Sequence, residues 1–254
     1  MYISQAGTGK AVVLIHGFCE THKVWQGIAQ QLAKSCHVLL PDLPGFGKSP
    51  PLNEPFTIED AARHLLNRLA AEKVNSLVAI GHSLGGYVAL AMARLDPRRV
   101  TALGLIHSTA LPDSEERKNN RNRVIELIEK HGPGPFIGTF FQNLFANPAH
   151  PALQELIPEA QKIEARTLIH WTRAMRDRSD QMPFLSEYPG PVLFLGGAKD
   201  PLIPPQSLEE QASRLSPNRA VIKILPDAAH MGMLENSAET YRIITGWLGM
   251  HLQF

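Results

Sequence analysis

The amino-acid sequence predicts an α/β fold, a mostly parallel, doubly wound sheet with an inserted block of helices. Short apolar segments alternate with longer helical ones along most of the chain, which is typical of consecutive βαβ units. The alternation stops at about 112–188, where helical patterns follow one another without a convincing strand, and it then resumes. We therefore expect one domain over residues 1–254, with a helical lid inserted at about 112–188.

Each expected element follows from its local pattern. Strands are predicted where short apolar runs are bounded by Gly, Pro or polar residues, at 11–15, 37–40, 76–80, 100–106, 191–195 and 220–224. Outside the insertion, helices are predicted at 25–33, 58–73, 86–95 and 238–248. Inside it, helical sequence is expected at 114–130, around 136–145, and from about 155 or 160 to 176.

Composition excludes several classes of function. The chain has 254 residues, of which 44% are hydrophobic and 19% charged, and its net charge is +1. This balance favours a small-molecule substrate over nucleic acid or an anionic membrane, and it leaves the oligomeric state open. We expect no signal peptide and no membrane span, because the chain has neither the leader pattern nor a long apolar run. Two cysteines, Cys19 and Cys36, form no disulfide framework and fit a cytoplasmic protein.

The most informative motif is Gly-His-Ser-Leu-Gly-Gly at 81–86, between a predicted strand and a predicted helix. A sharp strand-to-helix turn at a serine is a nucleophile elbow, which exposes the hydroxyl at the positive end of the helix. Gly81 and Gly85 suit this turn because they lack a Cβ where space is smallest. We predict Ser83 as the nucleophile. His82 is expected to pack or to orient other groups, because its side chain points away from the serine.

A serine nucleophile needs a base and an acid that orients the base. In proteins with such an elbow, the acid and then the base follow the serine along the chain. Asp200 comes after a predicted strand and a glycine turn, and His230 lies on the loop after the last predicted strand. Asp200 and His230 are therefore the predicted acid and base. Asp227 and Asp113 remain alternatives for the acid.

The tetrahedral intermediate of acyl transfer requires backbone N–H groups that point at its oxyanion. Leu84 directly follows the nucleophile, and Phe18 follows His16 and Gly17 on the loop after the first predicted strand. The N–H groups of Phe18 and Leu84 are the predicted donors, while His16 is expected to orient the loop.

No motif indicates a metal or a cofactor. The Gly-Lys-Ser triplet at 47–49 resembles the end of a phosphate-binding loop, but Asp42 stands where the first glycine should be, and prolines follow instead of a helix. Zinc-binding and calcium-binding spacings are missing from the sequence. We therefore expect no nucleotide, no metal and no cofactor.

Substrate selection is expected to depend on the inserted helices. Aromatic and apolar side chains indicate an apolar acyl or aromatic pocket, although packing between lid helices is the favoured interpretation for most of them. The candidate pocket residues are Cys19, Phe140, Phe141, Trp171 and Met231. Lid arginines could clamp a substrate carboxylate or simply be solvated. They are Arg166, Arg173, Arg176 and Arg178.

Five motifs together resemble the α/β-hydrolase family, in its lidded single-domain group. They are His-Gly-Phe at 16–18, Pro-Asp-Leu-Pro-Gly-Phe-Gly-Lys-Ser at 41–49, the elbow at 81–86, Gly-Ala-Lys-Asp-Pro at 197–201 and Ala-Ala-His at 228–230. The resemblance covers nearly the whole chain and implies a Ser-His-Asp triad and no cofactor. Only 15 residues precede His16, so the opening β-hairpin is expected to be short or partly missing.

The resemblance implies a serine hydrolase, carboxylesterase-like and of the EC 3.1.1 type, that cleaves a small ester, thioester or lactone through an acyl-enzyme. One alternative is a C–C bond hydrolase or lyase of the same fold that acts on a carboxylate-bearing substrate. A second alternative, of another class, is a small-molecule receptor that keeps the fold without turnover.

Overall fold

The computed structural model describes residues 1–216 and 218–251, and a single sheet runs through them. Its strands are β1 (Ile3–Ala6), β2 (Ala11–Ile15), β3 (His37–Pro41), β4 (Leu77–His82), β5 (Val100–Ile106), β6 (Val192–Gly197) and β7 (Ala220–Leu225). Their order is β1-β3-β2-β4-β5-β6-β7. β1 pairs with β3 in antiparallel register, and every other neighbouring pair is parallel.

Helices connect the strands. In the described residues they are α1 (Gln26–Leu32), α2 (Ile58–Ala71), α3 (Leu84–Leu95), α4 (Glu115–His131), α5 (Gly134–Phe140), α6 (Leu153–Ala160), α7 (Ala165–Arg176), α8 (Met182–Glu187), α9 (Pro205–Ser213), α10 (Gly232–Glu235) and α11 (Ser237–His251). Short 3₁₀ turns lie at His22–Trp25 and Gln142–Leu144. None of these helices combines the length and apolar character needed to cross a bilayer.

The mostly parallel sheet predicted from the sequence is confirmed. Each of the six predicted strands coincides with an observed strand to within two residues at either end. Every residue of β2 and β4 is buried, and strands covered on both faces read as continuous apolar runs. The strand that the prediction missed is β1, a short, partly exposed edge strand with the sequence Ile-Ser-Gln-Ala.

The predicted break in the strand pattern coincides with α4 to α8, which follow one another between β5 and β6 without a strand in the described chain. The long helix expected up to residue 176 is two helices, α6 and α7, separated at 161–164. α7 is anchored by Trp171, whose indole N–H donates to the oxygen of Pro44 at 2.8 Å. The Trp171 ring also stacks on Phe46 at 5.8 Å between centroids.

α3 approaches β2 too closely at Gly85 to leave room for a side chain. Gly85 lies in α3, and a Cβ built there would overlap the backbone oxygen of Ile15 in β2. Gly85→Ala is therefore expected to lower the free energy of unfolding by about 2–3 kcal/mol, although alanine favours helices. The matched control is Gly246→Ala in α11, where the new Cβ meets open space and should stabilise the protein by about 0.5–1 kcal/mol. Urea unfolding measures both variants, and a fully stable Gly85→Ala protein would contradict this packing.

Candidate active site

Loops at one edge of the sheet carry the predicted catalytic side chains. Ser83 follows β4, Asp200 lies on the loop after β6, and His230 lies on the loop after β7. These strands are parallel, so their carboxyl ends share one edge of the sheet and their loops converge there. Ligand sites of open α/β sheets form at this edge.

Ser83 occupies a strained turn between β4 and α3. Its φ is 50° and its ψ is −115°, a conformation that residues other than glycine rarely adopt. The Ser83 N–H donates to the oxygen of Ile106 at 3.0 Å, and the Ser108 hydroxyl donates to the Ser83 carbonyl at 2.7 Å. These bonds hold the turn, and the side chain remains only partly buried. This is the geometry of a nucleophile elbow.

Asp200 and His230 form a buried pair. His230 Nδ1 lies 2.9 Å from Asp200 Oδ2 and 3.0 Å from Oδ1. Asp200 Oδ1 also accepts the backbone N–H groups of Leu202 and Ile203, at 2.9 and 3.0 Å. His230 lines the same cavity as Ser83. Because Nδ1 is committed to Asp200, Nε2 is the imidazole nitrogen that remains for proton transfer.

The Asp200 carboxylate is strongly stabilised in its charged form. Burial alone would raise the pKa of Asp200, but the charge of His230 and the hydrogen bonds from His107 and His230 outweigh burial. Together they hold the pKa of Asp200 well below its usual range. The carboxylate is therefore ionised at neutral pH, as a group that orients an imidazole must be.

The two alternative acids have other partners. The Asp227 side chain is 85% exposed and lies 3.6 Å from Lys199 Nζ. Asp113 is buried, and its carboxylate pairs with Arg121 at 3.0 Å and with Arg178 at 2.8 Å. Among the three candidate acids, Asp200 is the one that the structure brings to His230.

A second imidazole, which was not among the residues predicted from the sequence, contacts the same carboxylate. His107 directly follows β5, has a φ of 47°, and is fully buried. Its Nδ1 lies 3.0 Å from Asp200 Oδ2. Burial lowers the pKa of His107 to about 4 despite that hydrogen bond, so the ring is neutral and donates through Nδ1–H. Its place at the carboxyl end of a central strand was the signal available in the sequence.

His107, Asp200 and His230 also bring possible metal-ligand atoms within 4.8 Å of one another. Both imidazoles direct Nδ1 at the Asp200 carboxylate over 2.9–3.0 Å, which is hydrogen-bond geometry. A cation among these atoms would have to displace both bonds. Hydrogen bonding therefore accounts for this cluster.

A second buried pair, Glu20 with His82, lies next to the site. Glu20 Oε2 accepts the N–H of Gly17 at 2.7 Å and lies 3.1 Å from His82 Nδ1. His82 Nε2 lies 2.9 Å from the carbonyl oxygen of His230. A carboxylate and a carbonyl can only accept, so both ring nitrogens carry hydrogen and His82 is an imidazolium.

The pKa shifts of this pair agree with that assignment. Burial lowers the pKa of His82, but the charge and hydrogen bond of Glu20 outweigh burial and leave the pKa raised. Burial raises the pKa of Glu20, but the charge and hydrogen bond of His82 and the N–H of Gly17 leave it lowered. The packing or orienting role predicted for His82 from the sequence did not extend to Glu20, whose partner is 62 residues away.

The loop after β2 presents Phe18 to the cavity that contains Ser83. His16 fixes this loop, because its Nδ1 donates to the oxygen of Gly17 at 2.8 Å and its Nε2 accepts the N–H of Leu43 at 2.9 Å. Burial lowers the pKa of His16, which favours the neutral ring that this pattern requires. Leu84 begins α3, so its N–H is one of those that a helix leaves without an intrahelical acceptor.

The cavity at Ser83 has a volume of about 230 Å³ and is partly walled by inserted helices. Phe140, predicted for the pocket, is on its wall together with Phe18 and His230. The other wall residues are Tyr87, Arg117, Asn120, Arg121, Val124, Phe136, Thr172, Met175, Leu202 and Ile203.

Four residues predicted for the pocket lie elsewhere. Cys19 lines a neighbouring cavity of about 530 Å³, and burial raises the pKa of its thiol well above the usual value, which keeps the thiol protonated. Phe141 and Met231 are fully buried, and Phe141 packs against Phe140 at 5.4 Å between ring centroids. Trp171 is the anchor of α7 described above, so its packing role accounts for its position.

The lid arginines considered in the sequence also lie off this wall. Three of them pair with nearby carboxylates: Arg166 with Glu164, Arg173 with Glu129, and Arg176 with Asp177. The guanidinium of Arg178 pairs with Asp113 and lies over the Tyr87 ring at 4.1 Å. The arginines on the wall are Arg117 and Arg121 of α4.

Known proteins share this fold and sequence pattern. A pimeloyl-[acyl-carrier protein] methyl ester esterase of Aeromonas hydrophila subsp. hydrophila is 28% identical over 265 aligned positions, which cover 97% of this chain and 98% of the relative. A thermophilic esterase from Thermogutta terrifontis, solved with malate bound, has a TM-score of 0.89 at 30% identity and covers 98% of this chain and 93% of that one. An enol-lactonase from Burkholderia xenovorans LB400, at 20% identity, shares the fold with a TM-score of 0.89 over 98% of this chain and 96% of its own.

The family model of the alpha/beta hydrolase fold matches residues 10–237. That range includes β2 to β7, the elbow, and the loops that carry Asp200 and His230. Relatives named as esterases are consistent with an enzyme of the EC 3.1.1 type. The chain therefore belongs to the α/β-hydrolase family.

Proposed function

We propose that this α/β hydrolase is a serine esterase that cleaves a small carboxylic ester, thioester or lactone through Ser83, His230 and Asp200. The observation that carries the proposal is that the strained Ser83 shares one cavity with His230, which is bonded to buried Asp200 at 2.9 Å. A serine hydroxyl needs such a base, and the base needs a carboxylate that fixes its tautomer.

The reaction follows from these roles. His230 Nε2 accepts the hydroxyl proton as Ser83 Oγ forms a bond to the acyl carbon, and the carbonyl electron pair moves to oxygen. Collapse of this intermediate breaks the bond to the leaving group, and His230 returns its proton to that group. A water molecule, deprotonated by His230, then attacks the acyl carbon of the acyl-enzyme. As the bond between that carbon and Ser83 Oγ breaks and the acid leaves, His230 returns the proton to Ser83 Oγ.

The remaining parts of the site support this chemistry. The N–H groups of Phe18 and Leu84 are the proposed oxyanion donors, since one follows the nucleophile and the other lies on the cavity loop. The helices α4 to α8 are proposed to act as a lid, since Val124, Phe136 and Thr172 complete the cavity wall. A lid excludes water, which strengthens every electrostatic interaction beneath it.

The Glu20–His82 pair is proposed to hold two loops at a fixed separation. They are the donor loop after β2, which carries Phe18, and the base loop after β7, which carries His230. Glu20 bonds the N–H of Gly17, directly before Phe18, and His82 bonds the carbonyl of His230 itself. Neither residue lines the cavity, so both act through the groups that they position.

Loss of the nucleophile provides the first test of this function. Ser83→Ala is expected to reduce hydrolysis of p-nitrophenyl acetate at least about 10³-fold, because the attacking oxygen is gone while the fold remains. Methyl esters should be included, since the Aeromonas relative is named for one. The control is Ser213→Ala, an exposed serine whose hydroxyl donates to the backbone oxygen of Glu210.

Two outcomes would contradict the esterase proposal. They are an unchanged kcat in Ser83→Ala and a folded wild-type protein that a fluorophosphonate does not label at Ser83. Absence of labelling together with ligand binding would favour the receptor alternative.

Removal of the carboxylate of the Glu20–His82 pair provides the second test. Glu20→Gln is expected to lower the free energy of unfolding by about 3–5 kcal/mol, because His82 loses its buried counter-charge. The control is Glu59→Gln, whose pair with Arg94 is exposed and should contribute less than about 1 kcal/mol.

The stability difference in Glu20→Gln has a defined pH dependence. The lowered pKa of Glu20 gives a contribution that is present above its ordinary 4.5 and is lost as the pH falls through the folded value. The raised pKa of His82 gives a contribution that is present below its ordinary 6.5 and is lost as the pH rises through the folded value. Urea unfolding as a function of pH should show the largest difference between these pH values. A constant difference would contradict the ion pair.

A further inference from the structure

The wall of the Ser83 cavity carries cationic groups, although much of it is apolar. Asn120 and Arg121 follow Arg117 by three and four residues, about one helical turn, on the same face of α4, and all three line the cavity. Other lining side chains, such as Phe136 and Phe140, are apolar. No Asp or Glu of the described residues lines this cavity.

The three side chains of α4 keep hydrogen-bond donors in reserve. One terminal amino group of Arg117 donates to the oxygen of Leu202, and Arg121 Nε donates to Asp113 at 3.0 Å. The Asn120 amide uses its oxygen to accept from Arg123, which leaves its NH₂ group as a donor. Arg121 uses only Nε in its bond to Asp113, so both of its terminal amino groups are left over.

Positive charge is in excess around the cavity-lining face of α4. Asp113 is the carboxylate paired with Arg121, and it also neutralises Arg178 at 2.8 Å. One anion thus serves two guanidinium groups, and Arg117 adds a further charge. Glu115, in the first turn of α4, pairs with Lys118 and is not on the cavity wall.

We propose that the α4 face formed by Arg117, Asn120 and Arg121 binds a carboxylate of the substrate, so that the preferred substrates are short esters with a free carboxylate remote from the scissile bond. This inference rests on the esterase function proposed for Ser83. A planar guanidinium offers paired donors that match a carboxylate, and Asn120 supplies a neutral donor between the two arginines. The cavity volume of about 230 Å³, equal to about eight waters in the liquid, limits the chain to a few carbons.

The test compares matched anionic and neutral esters. One arm uses monomethyl succinate, glutarate and adipate against the methyl esters of butanoic, pentanoic and hexanoic acids. The other arm uses acetate esters of short hydroxy acids against alkyl acetates, so that the carboxylate lies on the leaving group instead. We expect kcat/KM about tenfold higher for the anionic members of at least one arm, mainly through a lower KM.

Substitutions in α4 connect this preference to named residues. Arg117→Gln and Arg121→Gln should each lower the anionic-to-neutral ratio of kcat/KM by about five- to tenfold. Arg121→Lys keeps the charge but loses the paired donors, so its ratio should be intermediate. The control is Arg173→Gln on α7, whose partner is Glu129 and which lies off the cavity wall, and its ratio should equal that of wild type.

Direct binding separates this proposal from the proposed function. Calorimetric titration of Ser83→Ala protein with glutarate should detect binding that weakens about five- to tenfold when Arg117→Gln is added. If no ester is hydrolysed but glutarate still binds through Arg117, the esterase proposal fails and the carboxylate site stands. The carboxylate site would be overturned by two results together. The anionic-to-neutral ratio of kcat/KM would be the same in wild type, Arg117→Gln and Arg121→Gln, and glutarate binding would be unchanged by Arg117→Gln. Thermal unfolding of each variant checks that the Asp113 cluster remains folded.

Discussion

The buried ion pair between Glu20 and His82 is the interaction on which the geometry of the site depends. It joins the loop after β2 to the elbow through Gly17, and it joins the elbow to the base loop through the carbonyl of His230. Burying one such charge alone would be strongly unfavourable, and burying both is tolerated because each is paired and hydrogen-bonded. Because both charges must stay paired and hydrogen-bonded, even a small displacement of either side chain is unfavourable. Three loops that are distant in sequence therefore keep hydrogen-bond distances from one another.

The protonation states of the histidines near this pair follow from the hydrogen-bonding groups and the burial around each ring. His82 faces two acceptors and is therefore charged, whereas His107 faces the Asp200 carboxylate through one nitrogen and is held neutral by burial. Because burial holds the His107 ring neutral, His230 is the imidazole proposed to take up the proton of Ser83. Asp200 then has one imidazole that can become positive and one that only donates. This division favours a single site of proton transfer beside Ser83.

Much of the fold and part of the site could be predicted from the sequence, for a physical reason. Strands covered on both faces produce continuous apolar runs, and the elbow demands small residues such as Gly85 beside Ser83, so local patterns report them. Glu20 and His107 escaped prediction because their roles depend on contacts between segments that only folding brings together. Local composition also missed β1, whose edge position leaves it half polar.

The positions of residues on the cavity wall and at the sheet edge are determined by different features of the fold. At the edge, each position follows the end of a strand, so topology alone decides that Asp200 meets His230. Which arginine of an inserted helix faces the cavity depends instead on how that helix is rotated and anchored, as the seating of Trp171 on Pro44 illustrates for α7. No periodicity within α4 distinguishes the exposed Arg123 from Arg121. The proposed reaction chemistry therefore depends on residues at strand ends, while the proposed substrate recognition depends on how the inserted helices pack.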